Sequence, residues 1–146
     1  MLLDFSLLSE LRFEISRIGD AAFHGNTSLF IEDIINKRVQ HEVFAVLRKE
    51  KLAGFLILSA VLDEAEILEV AVSESQRRNG IGSELMDEVF VWCAENGISH
   101  IFLEVRESNF PARAYYKKYG FVENGLRKNY YRDPVENAVL MSKELS

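Results

Sequence analysis

The sequence predicts an α+β fold with three layers, a mixed and mostly antiparallel central sheet with helices on both faces. Three observations carry that reading. Two helix-period stretches open the chain; strand-like segments follow in a run that contains a hairpin; one helical segment then connects two strand-like runs as a crossover. The order α, α, β, β, β, α, β, α, β, β lacks the regular alternation of a doubly wound sheet.

In chain order, Leu2–Phe5 reads as a short strand. Leu8, Leu11, Ile15, Ile18 and Ala22 then recur at three- and four-residue steps, which predicts an amphipathic helix over 8–23. "HGNTS" breaks it, and Ser28 is placed to cap a second helix, 29–38. "HEVFAVLRKEKLAGFLILSAVL" reads as a hairpin turning at Lys49-Glu50-Lys51. "AEILEVAVS" is a third strand, rich in β-branched residues. A helix runs from about Ile81 to Asn96, with Leu85, Met86, Val89 and Cys93 on one stripe and Gly97 to stop it. "SHIFLEVRE" is the next strand, with Ile101, Leu103 and Val105 on one face and Phe102, Glu104 and Arg106 on the other. "NFPARAYYKKY" is a short helix with Pro111 in its first turn, where a missing N–H costs little. "GFVENGLRKNYYR" and "NAVLMSKEL" close the chain as two strands.

A chain of 146 residues with ten Phe, five Tyr and one Trp has the bulk for one domain around one core. No apolar run approaches the ~20 residues of a membrane span, and "MLLDFSLLSE" lacks the marks of a signal peptide. The single Cys93 excludes an internal disulfide framework and points to a reducing, cytoplasmic setting. Three scattered histidines and one cysteine build no common zinc site. With 23 Asp+Glu against 17 Lys+Arg, broad nucleic-acid binding is disfavoured, whereas a basic partner is tolerated.

Against that acidic balance, "SESQRRNGIG" sets Arg77, Arg78, Gly80 and Gly82 at the mouth of a helix. The first helical N–H groups lack partners, the dipole adds partial positive charge, and glycine lets the backbone approach a ligand. Strand, turn and helix start thus form an anion cradle over Arg77, Arg78, Asn79, Gly80, Ile81, Gly82 and Ser83. Its plainer reading is a tight turn with solvated arginines. The Walker pattern fails, because Ser83-Glu84 follows the second glycine, and the dinucleotide pattern fails for want of a third glycine.

Arg77-x-x-Gly80-x-Gly82 resembles the acyl-coenzyme A pyrophosphate loop of the Gcn5-related N-acetyltransferases. The resemblance continues through "IFLEVRESN", "ARAYYKKYGF" and "RKNYYRDPVENAVLMSKEL", covering about residues 45–144, and is strongest to the bacterial ribosomal-protein-alanine N-acetyltransferase type. It implies a single N-acetyltransferase domain over residues 1–146, with two splayed parallel strands in the sheet and about four helices. It also implies acetyl-CoA as cosubstrate, with no metal. Val70, Ala71 and Val72 match the strand whose free backbone groups pair with the pantetheine arm. Glu104 matches the general base; its plainer reading is an in-sheet ion pair. Tyr116, selected over Tyr115 by the family's "L-Y-x-x-x-G-F" run, matches a general acid that also touches the cofactor, against a plain core aromatic. Asn109 matches a cofactor contact and is equally a helix cap. Tyr130 and Tyr131 match the acceptor channel, or are strand packing. Cys93 reads as a small buried thiol, so transfer is direct, in a ternary complex, without an acyl-enzyme.

The sequence departs from that type in three places. "AFHGNTSLF" replaces a Pro-Trp pair, Glu136-Asn137-Ala138 replaces Glu-Asp-Ala, and Phe110-Pro111 replaces two small residues. All bear on the acceptor. The resemblance implies an N-terminal α-amine of a protein, such as ribosomal protein S18. A small amine (polyamine, aminoglycoside or amino acid) and a catalytically silent acyl-CoA binding module are the alternatives. The chain is expected to be a monomer or a homodimer.

Overall fold

Asp4 decides where the first helix begins. Its Oδ1 accepts from the Leu7 amide (2.8 Å) and caps α1, Phe5–Phe23, in the computed structural model, which describes residues 1–23, 27–37 and 40–145. The expected strand at Leu2–Phe5 is therefore reduced to one antiparallel bridge, Leu2 to Phe44. Helix α2 spans Thr27–Ile35, so Ser28 lies inside it and does not cap it. The expected break at His24–Asn26 and the expected helix end at Arg38 lie outside the described residues.

The remaining elements follow the predicted order. Strands β1 (Glu42–Arg48) and β2 (Lys51–Val61) form the hairpin. Its turn is the pair Lys49-Glu50, both at positive φ (51° and 66°), as the favoured two-residue turn requires. Lys51 already pairs with Arg48 and belongs to β2. Then come β3 (Glu64–Val72), a short 3₁₀ turn at Glu74–Gln76, α3 (Ile81–Glu95) and β4 (His100–Arg106). Helix α4 (Phe110–Lys118), β5 (Val122–Tyr131) and β6 (Glu136–Glu144) complete the chain.

The six strands form one sheet in the order β1-β2-β3-β4-β6-β5. Only β3 and β4 run parallel, as the crossover through α3 dictates; all other neighbours are antiparallel. Apolar side chains fill both sides. Leu8, Leu11, Ile15, Ile31, Phe55 and Ile57 pack α1 and α2 on one face. Leu56, Leu58, Leu85, Val89, Ile101 and Leu103 are among those packing α3 and α4 on the other. The predicted stripe on α3 is the buried one, each large side chain contributing about 1.5–3 kcal/mol.

One irregularity opens the sheet. Along the β2–β3 ladder Ile57 pairs with Glu69 while Leu58 pairs with Ile67, so Leu68 is an extra residue, a β-bulge. The bulge inverts the phase of β3. Ala65 and Ile67 face the α3 layer before it, whereas Ala71 faces the α1–α2 layer after it and Val70 and Val72 turn to α3. At the same point the parallel pairing stops. Glu64–Ile67 pair with His100–Leu103 and nothing beyond does. Strand β3 stays on β2 as far as Val72, and β4 stays on β6 as far as Arg106. The two parallel strands therefore part, leaving one edge of Leu68–Val72 without a strand neighbour.

Candidate active site

The parting of β3 from β4 leads to the N-terminus of α3. Gly80 caps that helix with φ at 76°, a left-handed conformation that favours glycine, and its Cα faces open space. The first amide after the cap to reach an acceptor one turn earlier is that of Glu84, on Gly80 O (3.1 Å). The amides of Ile81, Gly82 and Ser83 project from the helix end instead. They border a cleft of about 360 Å³ lined also by Arg77, Arg78 and Lys118. Arg77 and Arg78 are exposed and form no ion pair among the described residues. The Ile81 side chain is buried in the core, so only its amide faces the cleft. Asn79 Nδ2 donates to Gln76 Oε1 (3.3 Å), which fixes the turn.

Tyr115 on α4 and Tyr119 just after it hold this loop. Tyr115 Oη donates to Gly82 O (2.7 Å), and the Tyr119 hydroxyl bonds the Ser83 hydroxyl. A Cβ at Gly82 would lie 3.0 Å from the Tyr115 ring, so this glycine is set by α4 as well as by any ligand. The i, i+4 spacing of Tyr115 and Tyr119 was the available signal, since it puts both on one helix face.

Tyr116 points the other way on α4, into the core against Phe121 (5.7 Å between centroids) and Tyr115 (5.1 Å). Burial, and secondarily Tyr131, push its phenol well above the ordinary value, so it carries its proton at any neutral pH. Its hydroxyl makes no hydrogen bond to the described residues, although the side chain is buried.

Glu104 lies on the opposite face of the sheet, as the alternation in β4 predicted. Its side chain, 19% exposed, opens into a recess of about 530 Å³ lined by Glu66, Phe102, Arg127 and Leu140 among others. Arg127 Nε lies 3.5 Å from Glu104 Oε1. Glu104 is the first cause of the rise in the Tyr130 phenol pKa, ahead of burial. Tyr131 is raised to about 12, by burial and then by the Glu104 charge. Both tyrosines therefore border the carboxylate, with their rings 5.1 Å apart in an edge-to-face pair.

Asn109 fills its capping role, accepting from the Ala112 amide through Oδ1 (3.2 Å). Cys93 is fully buried, and burial alone lifts its thiol to about 11, which makes it a poor nucleophile at neutral pH. Asn137, where the related type has Asp, donates from Nδ2 to Glu107 Oε1 (3.3 Å), a bond an aspartate cannot make. Among the described residues, no group of three or more His, Cys, Asp or Glu is arranged to hold a metal. No described helix is long and apolar enough to cross a membrane.

Comparison with known proteins agrees with this geometry. A family model described as Acetyltransferase (GNAT) family matches residues 10–121. The [ribosomal protein bS18]-alanine N-acetyltransferase of Escherichia coli (strain K12) is 36% identical over 105 residues, covering 70% of this chain and 71% of that one. The crystal structure of the ribosomal-protein-S18-alanine N-acetyltransferase from Escherichia coli superposes with a TM-score of 0.83 at 30% identity, covering 100% of this chain and 92% of that one. Ard1 from Thermoplasma volcanium superposes with a TM-score of 0.81 at 30% identity, covering 100% and 96%.

Proposed function

The chain belongs to the acetyltransferase (GNAT) family and is an acetyl-CoA-dependent N-acetyltransferase; from that premise we propose that its acceptor is the N-terminal α-amine of a protein, ribosomal protein S18 foremost, and that residues 1–146 are one catalytic domain. The bS18-alanine enzymes among its relatives support the acceptor. The observation that carries the mechanism is the parting of β3 and β4, because it opens the sheet between the face holding Tyr116 and the face holding Glu104.

The residues around the cleft fit a diphosphate. They offer projecting helix amides, the Arg77, Arg78 and Lys118 cations, a Ser83 hydroxyl and open space over Gly80. The unpaired edge of Val70, Ala71 and Val72 offers backbone groups to an extended arm, and the side-chain Nδ2 of Asn109 lies beside its capping oxygen. Acetyl-CoA supplies the activated thioester.

On the other face the acceptor amine docks at Glu104, with Tyr130 and Tyr131 along its approach. An α-amine of pKa about 8 arrives largely as ammonium, and Glu104 takes its proton directly or through one water. The freed nitrogen forms its bond to the acetyl carbon as the carbon–sulfur bond breaks. Tyr116, kept neutral by burial, donates its hydroxyl proton to the departing sulfur. The nitrogen's second proton leaves as the amide forms and, through water, replaces the one that Tyr116 gave up, so the balance is one amide and one free thiol formed and one proton released to water through Glu104.

Glu104→Gln tests this reading. It should keep its affinity for coenzyme A while losing turnover of N-terminal peptides by ~10²–10⁴-fold at neutral pH. Full turnover in that variant would remove Glu104 from the chemistry. Coenzyme A binding with no turnover of any amine by the native protein would make the chain a binding module.

A further inference from the structure

Glu104 already has a cation beside it. Arg127 comes from β5, two strands away, and reaches Glu104 across β6. Ala138 stands in register between Arg106 on β4 and Arg127 on β5, and its methyl leaves the way over β6 open. The guanidinium also lies over the Tyr130 ring (5.6 Å), whose phenol is perturbed by Glu104. A second carboxylate, Glu66 on β3, lines the same recess. Glu64, exposed on the same strand, is a third carboxylate at this recess, so a single guanidinium leaves it short of positive charge, which a primary ammonium supplies.

We infer that Arg127 is a positioning residue for the acceptor. Its guanidinium holds the place on Glu104 that the incoming ammonium takes, and it moves to Glu66 when the amine docks. This rests on the base role proposed for Glu104. The geometry suits an exchangeable contact. The pair is held by one nitrogen at 3.5 Å, the Arg127 side chain is 58% exposed, and such pairs are weak. Glu66 is ready to receive it. Burial first, then the Glu104 charge, raise the Glu66 carboxyl above its ordinary value, and Arg127 and His41 oppose that rise. The other charged or titratable neighbours are Glu64 from β3, Tyr130 and Tyr131 from β5 and Arg106 on β4 itself. With no Arg127, Glu66 and Glu104 would share the recess with no cation between them, and Glu64 would add to their repulsion. They would hold the acceptor as ammonium, whose lone pair is blocked, and would resist joint ionisation.

The test is steady-state kinetics of Arg127→Gln, Arg127→Lys and the double variant Arg127→Gln/Glu66→Gln, with an N-terminal peptide as acceptor across pH. Arg127→Gln should lower KM by about two- to fivefold and lower kcat as well. The acid limb of its kcat/KM profile should move up by about half a unit to one unit. Arg127→Lys should restore the limb, and removing the Glu66 charge should restore it in the double variant. An unmoved limb in Arg127→Gln, or a raised KM with that limb in place, overturns the inference. Full turnover by Glu104→Gln is a separate outcome that overturns the base role beneath it.

Discussion

Glu69 should make this protein less stable at neutral pH than it needs to be. The carboxylate sits on β3 one residue past the bulge, 7% exposed, and its Oε2 accepts from the buried Thr27 hydroxyl (2.9 Å). Burial raises its pKa from 4.5 to about 6, the Thr27 bond holds it down in part, and Asp20 adds to the rise. The folded state thus binds the proton more tightly than the unfolded chain. Stability is fully retained below the unfolded value and falls as pH climbs through the folded one, between about 4.5 and 6. A gap of about 1.5 units corresponds to about 2 kcal/mol lost by neutral pH. Glu69→Gln keeps the shape and an acceptor for Thr27 but never ionises. Its melting temperature should match the native protein near pH 4.5 and exceed it by about 4–8 °C at pH 7.5. The assay is thermal denaturation by circular dichroism, read as the variant-minus-native difference so that other titrating groups cancel. A variant less stable than the native protein at pH 7.5 would mean that the ionised carboxylate is well solvated or well paired, and the reasoning would fail.

Two further outcomes separate side chains that the sequence lists alike. Tyr116→Phe should leave the melting temperature nearly unchanged, since its hydroxyl has no internal partner, yet cut kcat by ~10-fold or more. Tyr115→Phe removes the bond to Gly82 O. It should cost about 1 kcal/mol and weaken coenzyme A binding, measured by calorimetry, with kcat little altered. Cys93→Ala should retain turnover at a stability cost of about 1 kcal/mol. The native thiol should resist alkylation at pH 8, because it is buried and held near 11. Loss of turnover in Cys93→Ala would reopen an acyl-enzyme route.

What the sequence disclosed follows from the range of the interactions involved. The α3 stripe, the Gly97 stop, the Asn109 cap and the alternation that turns Glu104 from Leu103 are local, and a local period records them. The bulge left no such mark. "AEILEVAV" contains no glycine and reads as one continuous strand, although its phase inverts at Leu68. The apolar residues around Asp4 resemble a strand and hide its capping role, and the second helix begins at Thr27, one residue before the expected cap at Ser28. Arg127 and Glu66 meet Glu104 only through strands far apart in the chain, so nothing in their neighbourhood in sequence announced them.

The bulge, the gap and the buried carboxylate belong to one piece of physics. A bulged strand twists more sharply than a regular one, and here the added twist coincides with the last pair of the parallel ladder, Ile67 with Leu103. An unpaired strand edge is a liability that a protein has to cover or use. The opening is kept by holding β3 from its other sides. Strand β2 keeps its ladder to Val72, and Thr27 on α2 grips Glu69 just beyond the bulge. The contact that costs stability at neutral pH is thus one that ties the α2 layer to the separated part of β3. Glu69→Gln keeps the Thr27 contact, and the same variant should therefore bind coenzyme A as the native protein does. Glu69→Ala removes it; its affinity should fall even where its melting temperature does not, since the edge proposed to receive the pantetheine arm would no longer be held apart from β4.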